Sequence, residues 1–586
     1  MIGLPEAAIA GAKRAGADSG DEMERPFTET RPRPGAFRAF RESFSGLGLL
    51  IGAMLLAASL TPSLIPRAPA LQGVLAGTCM AIGYLAGVVI EWLWRFLGLP
   101  IPRAQTFRIA NWIAAATAAA VVVSYLWRAA GWQNSIRVLM DMPPVTSSEP
   151  LLVGAVTAAV FLVLVLLGRG FAKVVDIAER KAARIMPVRA ARAIGLAIAV
   201  VLFTLLIDGV LIRSFLDFSD RSFAALDALI EPDTAPPPDG PGSPQSLLSW
   251  EGLGRQGRNF VAAGPTRAEI SAFTGRPAQT PIRVYAGLNS ADTVEERSQL
   301  ALRELIRTGA FDRKVLVVVT PTGTGWMDPE ATDTLEYLHG GDTALVAQQY
   351  SYLTSWISLL VEPGYAQETG RSLFRAIYGY WTTLPKDARP RLYLHGLSLG
   401  AYGSEQSFRL NEVLADPFQG AVWSGPPFST PGWRSATLER NPDSPEWLPR
   451  YGDGSAIRFS LQTRGLDIPG ATWGPMRIAY LQHASDPVTF FSPDILWRKP
   501  DWMKAPVGPD VSPELRWYPV VTFLQIGLDM AIGLWVPMGY GHLFGPVQYI
   551  DGWREVTEPE GWTDADIARL KAYFVARYQK AAGTDG

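Results

Sequence analysis

The chain has 586 residues, 48% of them hydrophobic and only 18% charged, with a formal net charge of −2. A soluble domain carries roughly a quarter of its residues as charges, so this composition excludes a disordered chain and a basic nucleic-acid-binding protein. Split after residue 213, the chain has 21 Lys and Arg against 13 Asp and Glu before the cut, and 32 against 42 after it, so a basic first part is joined to an acidic second part.

Residues 1–45 are polar and read as a flexible tail. The first apolar run begins only at Leu47 and is too long for the core of a cleavable signal peptide. Apolar stretches long enough for a bilayer of roughly 30 Å recur at 47–66, 71–90, 109–127 and 151–168. A fifth, 193–212, carries Asp208 one turn from its end, where a carboxylate can reach the headgroup region. The segment 46–213 is therefore expected to be a transmembrane bundle of about five spans. Its single cysteine, Cys79, supports neither an intrachain disulfide framework nor a cysteine-based metal site.

Lys and Arg mark the loops that stay cytoplasmic. Seven precede the first span, one (Arg67) follows it, three (Arg95, Arg103, Arg108) come next, then two (Arg128, Arg137), then seven from Arg169 to Arg192. This alternation fits an odd number of spans with the N-terminus in the cytoplasm and everything after 213 on the extracytoplasmic side. A re-entrant run among the five would reverse that assignment. The stretch 171–191 reads as a basic amphipathic helix on the inner leaflet or as a solvated linker helix. Trp92, Trp94, Trp112, Trp127 and Trp132 lie near span ends, as interfacial anchors do.

Residues 214–245 read as a linker, because 231–245 hold six prolines in fifteen positions and can form neither a ladder nor a helix. In 246–586, strand patterns at 282–285, 315–319, 391–395, 420–423 and 477–481 alternate with helical patterns at 291–307, 370–381 and 399–414. That alternation predicts a mostly parallel α/β sheet with helices on both faces.

The sharpest motif is GLSLG at 396–400, directly after one predicted strand and directly before a helix. A nucleophilic serine on such a turn needs small neighbours two before and two after, and Gly396 and Gly400 meet that need around Ser398. A carboxylate and then a histidine should follow on later loops. Asp486 ends the strand-turn MRIAYLQHASD (476–486), and His542 lies in the glycine-flanked GYGHLFG (539–545). Asp529 and Asp494 are the other candidates for the acid, and His483 for the base. His395 and His339 precede the nucleophile. An oxyanion formed at Ser398 needs two backbone N–H donors. Leu399 supplies one, and the glycine-rich TPTGTGW (320–326), through Thr322 or Gly323, the other. No Lys-Ser or Lys-Thr follows that loop, which argues against a phosphate cradle.

With these motifs in place, residues 246–580 resemble the α/β-hydrolase superfamily. The whole chain resembles a bacterial family of membrane hydrolases with a multi-span N-terminal domain, matching at PIRVYAGLNSAD (281–292), RTGAFDRKVLVVVTPTGTGWMDP (307–329), QQYSYLTSW (348–356), GLSLGAYG (396–403), WSGPPF (423–428) and HASDPV (483–488). The resemblance implies Ser398, Asp486 and His542 as a catalytic triad. It also implies hydrolysis of a lipid or lipid-linked ester such as aminoacylated phosphatidylglycerol. One departure from the superfamily pattern stands out: no clear strand separates Asp486 from His542, and 519–535 reads as a strand then a helix, or as an apolar helix on the membrane. The expected chemistry needs no metal and no organic cofactor. Glu336 and Asp342, in the acidic stretch after the oxyanion loop, are candidates to receive an ammonium group of the substrate. Acyl transfer to a lipid or glycan acceptor would use the same triad, and a non-catalytic scaffold that kept the fold is the reading of a different class.

Overall fold

The computed structural model describes residues 44–100, 104–206, 234–353 and 364–584, together with 227, 229 and 358. The tail 1–43, Asp208 with the end of the fifth expected span, and most of 207–233 lie outside the described residues.

The apolar runs form helices α1 (Gly46–Ser59), α2 (Pro69–Phe96), α3 (Ala104–Arg137), α4 (Pro150–Ala182) and α5 (Val188–Leu206). Among the described residues, α2 to α5 are long and apolar enough to cross a membrane, and α1, with 14 residues, is not. The first expected span thus ends as a helix at Ser59. Residues 60–67, which contain Pro62 and Pro66, continue as a buried irregular segment. Gly48 and Gly52 of α1 face Gly87 and Gly83 of α2, and a Cβ on Gly83 would lie 2.7 Å from the Gly52 Cα. Only glycine allows two helix backbones to approach so closely. The stretch 171–191 contains no separate surface helix. Helix α4 runs through it to Ala182, and its 33 residues extend about 50 Å, well beyond the hydrocarbon thickness. Trp112 and Trp127 are 74% and 88% exposed, as lipid-facing residues would be, whereas Trp132 is 9% exposed and donates to Glu514 Oε2 at 2.8 Å. Trp132 is therefore a contact with the second half of the chain.

The second half is built on seven parallel strands, β1 (Ile282–Ala286), β2 (Val315–Thr320), β3 (Thr343–Gln348), β4 (Arg391–Leu397), β5 (Gly420–Ser424), β6 (Ile457–Ser460) and β7 (Arg477–Leu481). Their order is β1-β3-β2-β4-β5-β7-β6. The five predicted strands are present, with β3 and β6 in addition. Strands buried on both faces need unbroken apolar runs, and VLVVV at 315–319 is one. The predicted helix 399–414 is divided into Leu399–Glu405 and Leu410–Val413. No strand lies between Asp486 and His542 among the described residues. The sheet edge there is closed by β6, which comes earlier in the chain, and 521–531 is a helix packed against α1 and α2.

The chain order reverses between β2 and β4: β3 lies on one side of β2, and β4 on the other. In an open parallel sheet the crevice at such a switch, beyond the C-terminal strand ends, is where ligands bind. Both TPTGTGW, after β2, and Ser398, after β4, lie there. The proline-rich segment is held against the domain rather than free of it, since Arg307 donates to the Asp239 carbonyl and Glu304 accepts from Ser246 Oγ at 2.7 Å.

Candidate active site

Ser398 sits between the last residue of β4 and the first of the helix Leu399–Glu405, with φ +58° and ψ −127°. A non-glycine residue reaches this region only when its surroundings force it there. The forcing comes from close packing on both sides of the turn. A Cβ on Gly396 would collide with the Gly400 carbonyl, and one on Gly400 would collide with the Thr320 carbonyl and lie 2.7 Å from that of Pro321. Ser398 is 6% exposed, and its N–H donates to the Ser424 carbonyl at 2.9 Å, continuing the β4–β5 ladder by one residue.

Asp486 caps the short helix Pro487–Phe490 and is fully buried. Its Oδ1 accepts from the N–H groups of Val488 (2.8 Å) and Thr489 (3.4 Å), and its Oδ2 from Thr489 Oγ1 (3.1 Å). The remaining partner of Oδ2 is His542 Nδ1 at 2.8 Å. The His542 N–H is fixed by the Gly533 carbonyl at 3.0 Å. Its ring lies against Gly425, the residue after β5, where a Cβ would come within 2.6 Å of Cε1. Leu397 and Ser424 are register partners. The imidazole therefore lies beside the strand ends that carry Ser398. His542 Nε2 is buried and has no hydrogen-bond partner among the described residues, so no bond to Ser398 Oγ is formed in this conformation. Catalytic hydrogen bonds are often long before substrate arrives.

The competing candidates have other partners. Asp529 is paired with Arg67 (2.9 Å) and Asp494 accepts from Ser492 Oγ. His483 is held between the Gly541 carbonyl and Gln548 Oε1, both at 2.9 Å. Burial pushes the His395 imidazole down to about 4, and its Nδ1 meets the Val422 carbonyl at 2.6 Å. Burial, with Arg391 and Lys314 nearby, lowers His339 to about 3.

Leu399 opens its helix, so its N–H has no carbonyl one turn back. The expectation for Thr322 is corrected: its N–H donates to the Trp326 carbonyl at 3.1 Å and closes the loop on itself. The start of this loop, at Thr320 and Pro321, packs on Gly400 of the elbow.

The acidic pair is not brought to this site. Glu336 is fully buried and chelates Arg283 through Oε1 (2.8 Å) and Oε2 (2.7 Å), with Asp333 on the same guanidinium at 2.6 Å. Burial alone would push Arg283 down, but the two carboxylates outweigh it and hold the guanidinium above its usual range. Asp342 precedes β3 and accepts from the Lys314 N–H at 3.1 Å, at the N-terminal edge of the sheet, opposite Ser398. Glu336 is taken up by Arg283, and Asp342 stands at the far end of the strands from Ser398.

Two groups that sequence reasoning missed support the elbow from behind. Ser424, whose carbonyl holds Ser398, also bonds Tyr549 through its hydroxyl at 2.9 Å. Tyr549 in turn bonds Asp328. Burial pushes the Asp328 carboxyl up to about 7, and burial with Asp328 and Asp333 nearby pushes Glu330 up to about 8. The WSGPPF block, which places Gly425 after a predicted strand, was the available signal for Ser424. Among the described residues, no three His, Cys, Asp or Glu side chains converge to hold a metal ion.

Two family profiles match the chain. One, described as an alpha/beta-hydrolase family, covers residues 282–570, and the other, described as the N-terminus of an alpha/beta-hydrolase family, covers 60–265. No curated protein and no solved structure matches.

Proposed function

We propose, from the premise that the chain belongs to this alpha/beta-hydrolase family, that it is a membrane-held serine esterase acting on a lipid or lipid-linked ester. The observation that carries the reading is the strained Ser398 elbow beside a His542 whose Nδ1 is bound to buried Asp486. Ser398 Oγ attacks the ester carbonyl while His542 Nε2 takes its proton, and Asp486 holds the imidazole in the tautomer that leaves Nε2 free to accept. The Leu399 N–H meets the developing oxyanion. His542 returns the proton to the leaving alcohol, and water then repeats the sequence on the acyl-enzyme to release the acid and restore Ser398.

A lipid substrate is favoured because the histidine loop is attached to the membrane bundle: Tyr540 donates to Asp141 at 2.7 Å, and Leu534 and Trp535, between Asp529 and His542, are exposed. Aminoacylated phosphatidylglycerol, which the resemblance suggests, is the substrate to try first. Glu336 and Asp342 give it no support, so recognition of its amino group would fall to other residues.

A fluorophosphonate probe tests the chemistry. The wild type should be labelled and Ser398→Ala should not; an unlabelled wild type would overturn the esterase reading. Release of free amino acid from vesicles carrying lysyl-phosphatidylglycerol, against release of fatty acid from diacyl lipids in the same vesicles, tests the substrate class.

A further inference from the structure

Strand β3 ends at Gln348, and Gln349 and Tyr350 carry the chain out of the sheet. The register puts this exit level with the elbow. Val319 of β2 pairs with Ala347 of β3 on one side and with His395 of β4 on the other, so Tyr350, Thr322 and Ser398 each lie three residues beyond that row. Two strand spacings, about 10 Å, separate β3 from β4. Gln349 ties the exit to the TPTGTGW loop, since its Nε2 donates to the Thr324 carbonyl at 3.3 Å. We infer that the Tyr350 hydroxyl donates a hydrogen bond to the carbonyl oxygen of the bound ester and to the oxyanion formed from it, alongside the Leu399 N–H.

Tyr350, Ala366, Leu399, Val488 and Met530 form one buried apolar cluster, distinct from the main core of the sheet. Leu399 follows the nucleophile, and Val488 gives its N–H to Asp486. Met530 lies three residues before Gly533, whose carbonyl holds the His542 N–H. Ala366 backs the elbow helix, where a Cβ on Gly403 would lie 2.6 Å from its carbonyl. The cluster thus draws on the neighbours of all three proposed catalytic residues. Of its five members Tyr350 alone carries a hydroxyl. Tyr350 is 6% exposed, and that hydroxyl is buried without a hydrogen-bond partner among the described residues. Buried tyrosines usually find one. Three others in this domain do: Tyr285 on the Gly325 carbonyl (2.7 Å), Tyr480 on Glu405 (2.6 Å) and Tyr549 on Ser424 (2.9 Å). A polar group left alone in such surroundings points to a missing acceptor.

The acceptor that ester chemistry brings is the carbonyl oxygen, which gains negative charge as Ser398 attacks. With the Thr322 N–H spent on the Trp326 carbonyl, a donor besides Leu399 is wanted there. A neutral phenol can give that bond. Burial pushes the Tyr350 hydroxyl above the usual tyrosine range, so it keeps its proton and remains a donor at neutral pH. In apolar surroundings such a bond to a charged oxygen is stronger than it would be in water. Two polar groups near the elbow are therefore buried and unpartnered, the Tyr350 hydroxyl and His542 Nε2. One is the donor that the carbonyl oxygen needs, the other the acceptor that the Ser398 proton needs. The inference rests on the esterase reading of Ser398.

Tyr350→Phe deletes the hydroxyl and keeps the ring. In the purified full-length protein, kcat/KM for p-nitrophenyl and alkyl esters of one acid should fall about a hundredfold, equally for both, with the loss in kcat and KM nearly unchanged. Binding of a trifluoromethyl ketone, whose adduct with Ser398 carries an oxyanion, should weaken by a similar factor. The melting temperature should not fall, because the hydroxyl has no partner to lose; a hydroxyl that only held the turn would give a lower melting temperature with nearly normal kcat. Such a result would overturn the inference. So would a loss confined to the alkyl ester, which would place the hydroxyl on the leaving oxygen. An active wild type matched by an equally active Tyr350→Phe would overturn this inference alone. A wild type that hydrolyses neither ester and takes no fluorophosphonate label would overturn the esterase reading, and this inference with it.

Discussion

Asp486 has each of its oxygens fixed by a different set of donors, and this makes its replacement by Asn informative. The N–H groups of Val488 and Thr489 demand an acceptor at the Oδ1 position, so in Asp486→Asn the amide NH₂ must take the Oδ2 position, facing His542 Nδ1. The imidazole then carries its proton on Nε2 and can no longer take one from Ser398. We expect kcat to fall about ten-thousand-fold with KM nearly unchanged, measured by steady-state ester hydrolysis; a loss of less than tenfold would mean that another base is used. The buried acids behind the elbow give a prediction of the opposite kind. Asp328 and Glu330 keep their protons in the folded state up to about pH 7 and 8, whereas in the unfolded chain they lose them near 4. Between those values the unfolded state binds fewer protons than the folded one, so stability falls as pH rises through this window and levels off above it. Asp328→Asn should flatten that slope in melting temperatures measured from pH 5 to 9. At this scale the Ser398 elbow and the His542–Asp486 pair could be read from chain order alone, because each residue needs only a strand end and a loop. The positions of Glu336, Asp342 and Thr322 could not be read, since each is decided by a partner that comes from the fold: Arg283, the sheet edge, or a turn closing on Trp326.

The segment 60–67 and the helix Val521–Ala531 form one joint between the two halves of the chain. Asp529 accepts from the Leu64 N–H (3.1 Å) and from Arg67 Nε (2.9 Å), both in fully buried surroundings, and Gln525 Nε2 reaches the Thr61 carbonyl at 3.0 Å. Four residues after Asp529, Gly533 holds His542, and Ile65 lies 3.5 Å from where a Cβ of Gly541 would stand. A membrane-domain segment thus braces the histidine loop. Removing one partner of a buried ion pair strands the other at a cost of about 3–5 kcal/mol, whereas replacing both with apolar groups recovers much of it. Arg67→Met should therefore lower the melting temperature and slow fluorophosphonate labelling, and Arg67→Met with Asp529→Leu should restore most of the stability. If the single variant melts like the wild type, the joint carries no strain from one half to the other. This helix also shows why 519–535 was ambiguous as sequence. Val521, Leu524 and Leu528 pack against Ala58, Leu75 and Cys79 of α1 and α2, so the helix is apolar because it meets membrane helices, and a strand or a lipid-facing helix would have the same composition. Strands β3 and β6 were missed for the converse reason: TALVAQ and IRFS are short or interrupted by polar residues, and only their neighbours in the sheet make them strands.

The charge division between the two halves bears on which side of the membrane the catalytic domain occupies, and the structure frees that question from counting spans. With 14 residues α1 extends only about 21 Å, too short for the hydrocarbon layer, so a count of five or four is no longer a firm guide to sidedness. Helix polarity offers a separate expectation. The catalytic domain meets the segment after α1 at Arg67, the C-terminal part of α3 at Trp132 and Ser135, and the turn beyond it at Asp141. Helix α4 starts at this same end, where Val153 packs with Leu60 and Trp132, and runs away from it to Ala182. The seven Lys and Arg between Arg169 and Arg192 accordingly gather at the end of the bundle opposite the catalytic domain, whatever α1 does. Basic loops stay in the cytoplasm, so the catalytic domain is expected on the other side. A cysteine placed at Ala183 should react with a membrane-impermeant maleimide only after the cells are opened, and an alkaline phosphatase fused after Gly586 should be active in intact cells. If the fusion were inactive while Ala183→Cys reacted from outside, the charge division would be a property of the folded halves and would say nothing about topology.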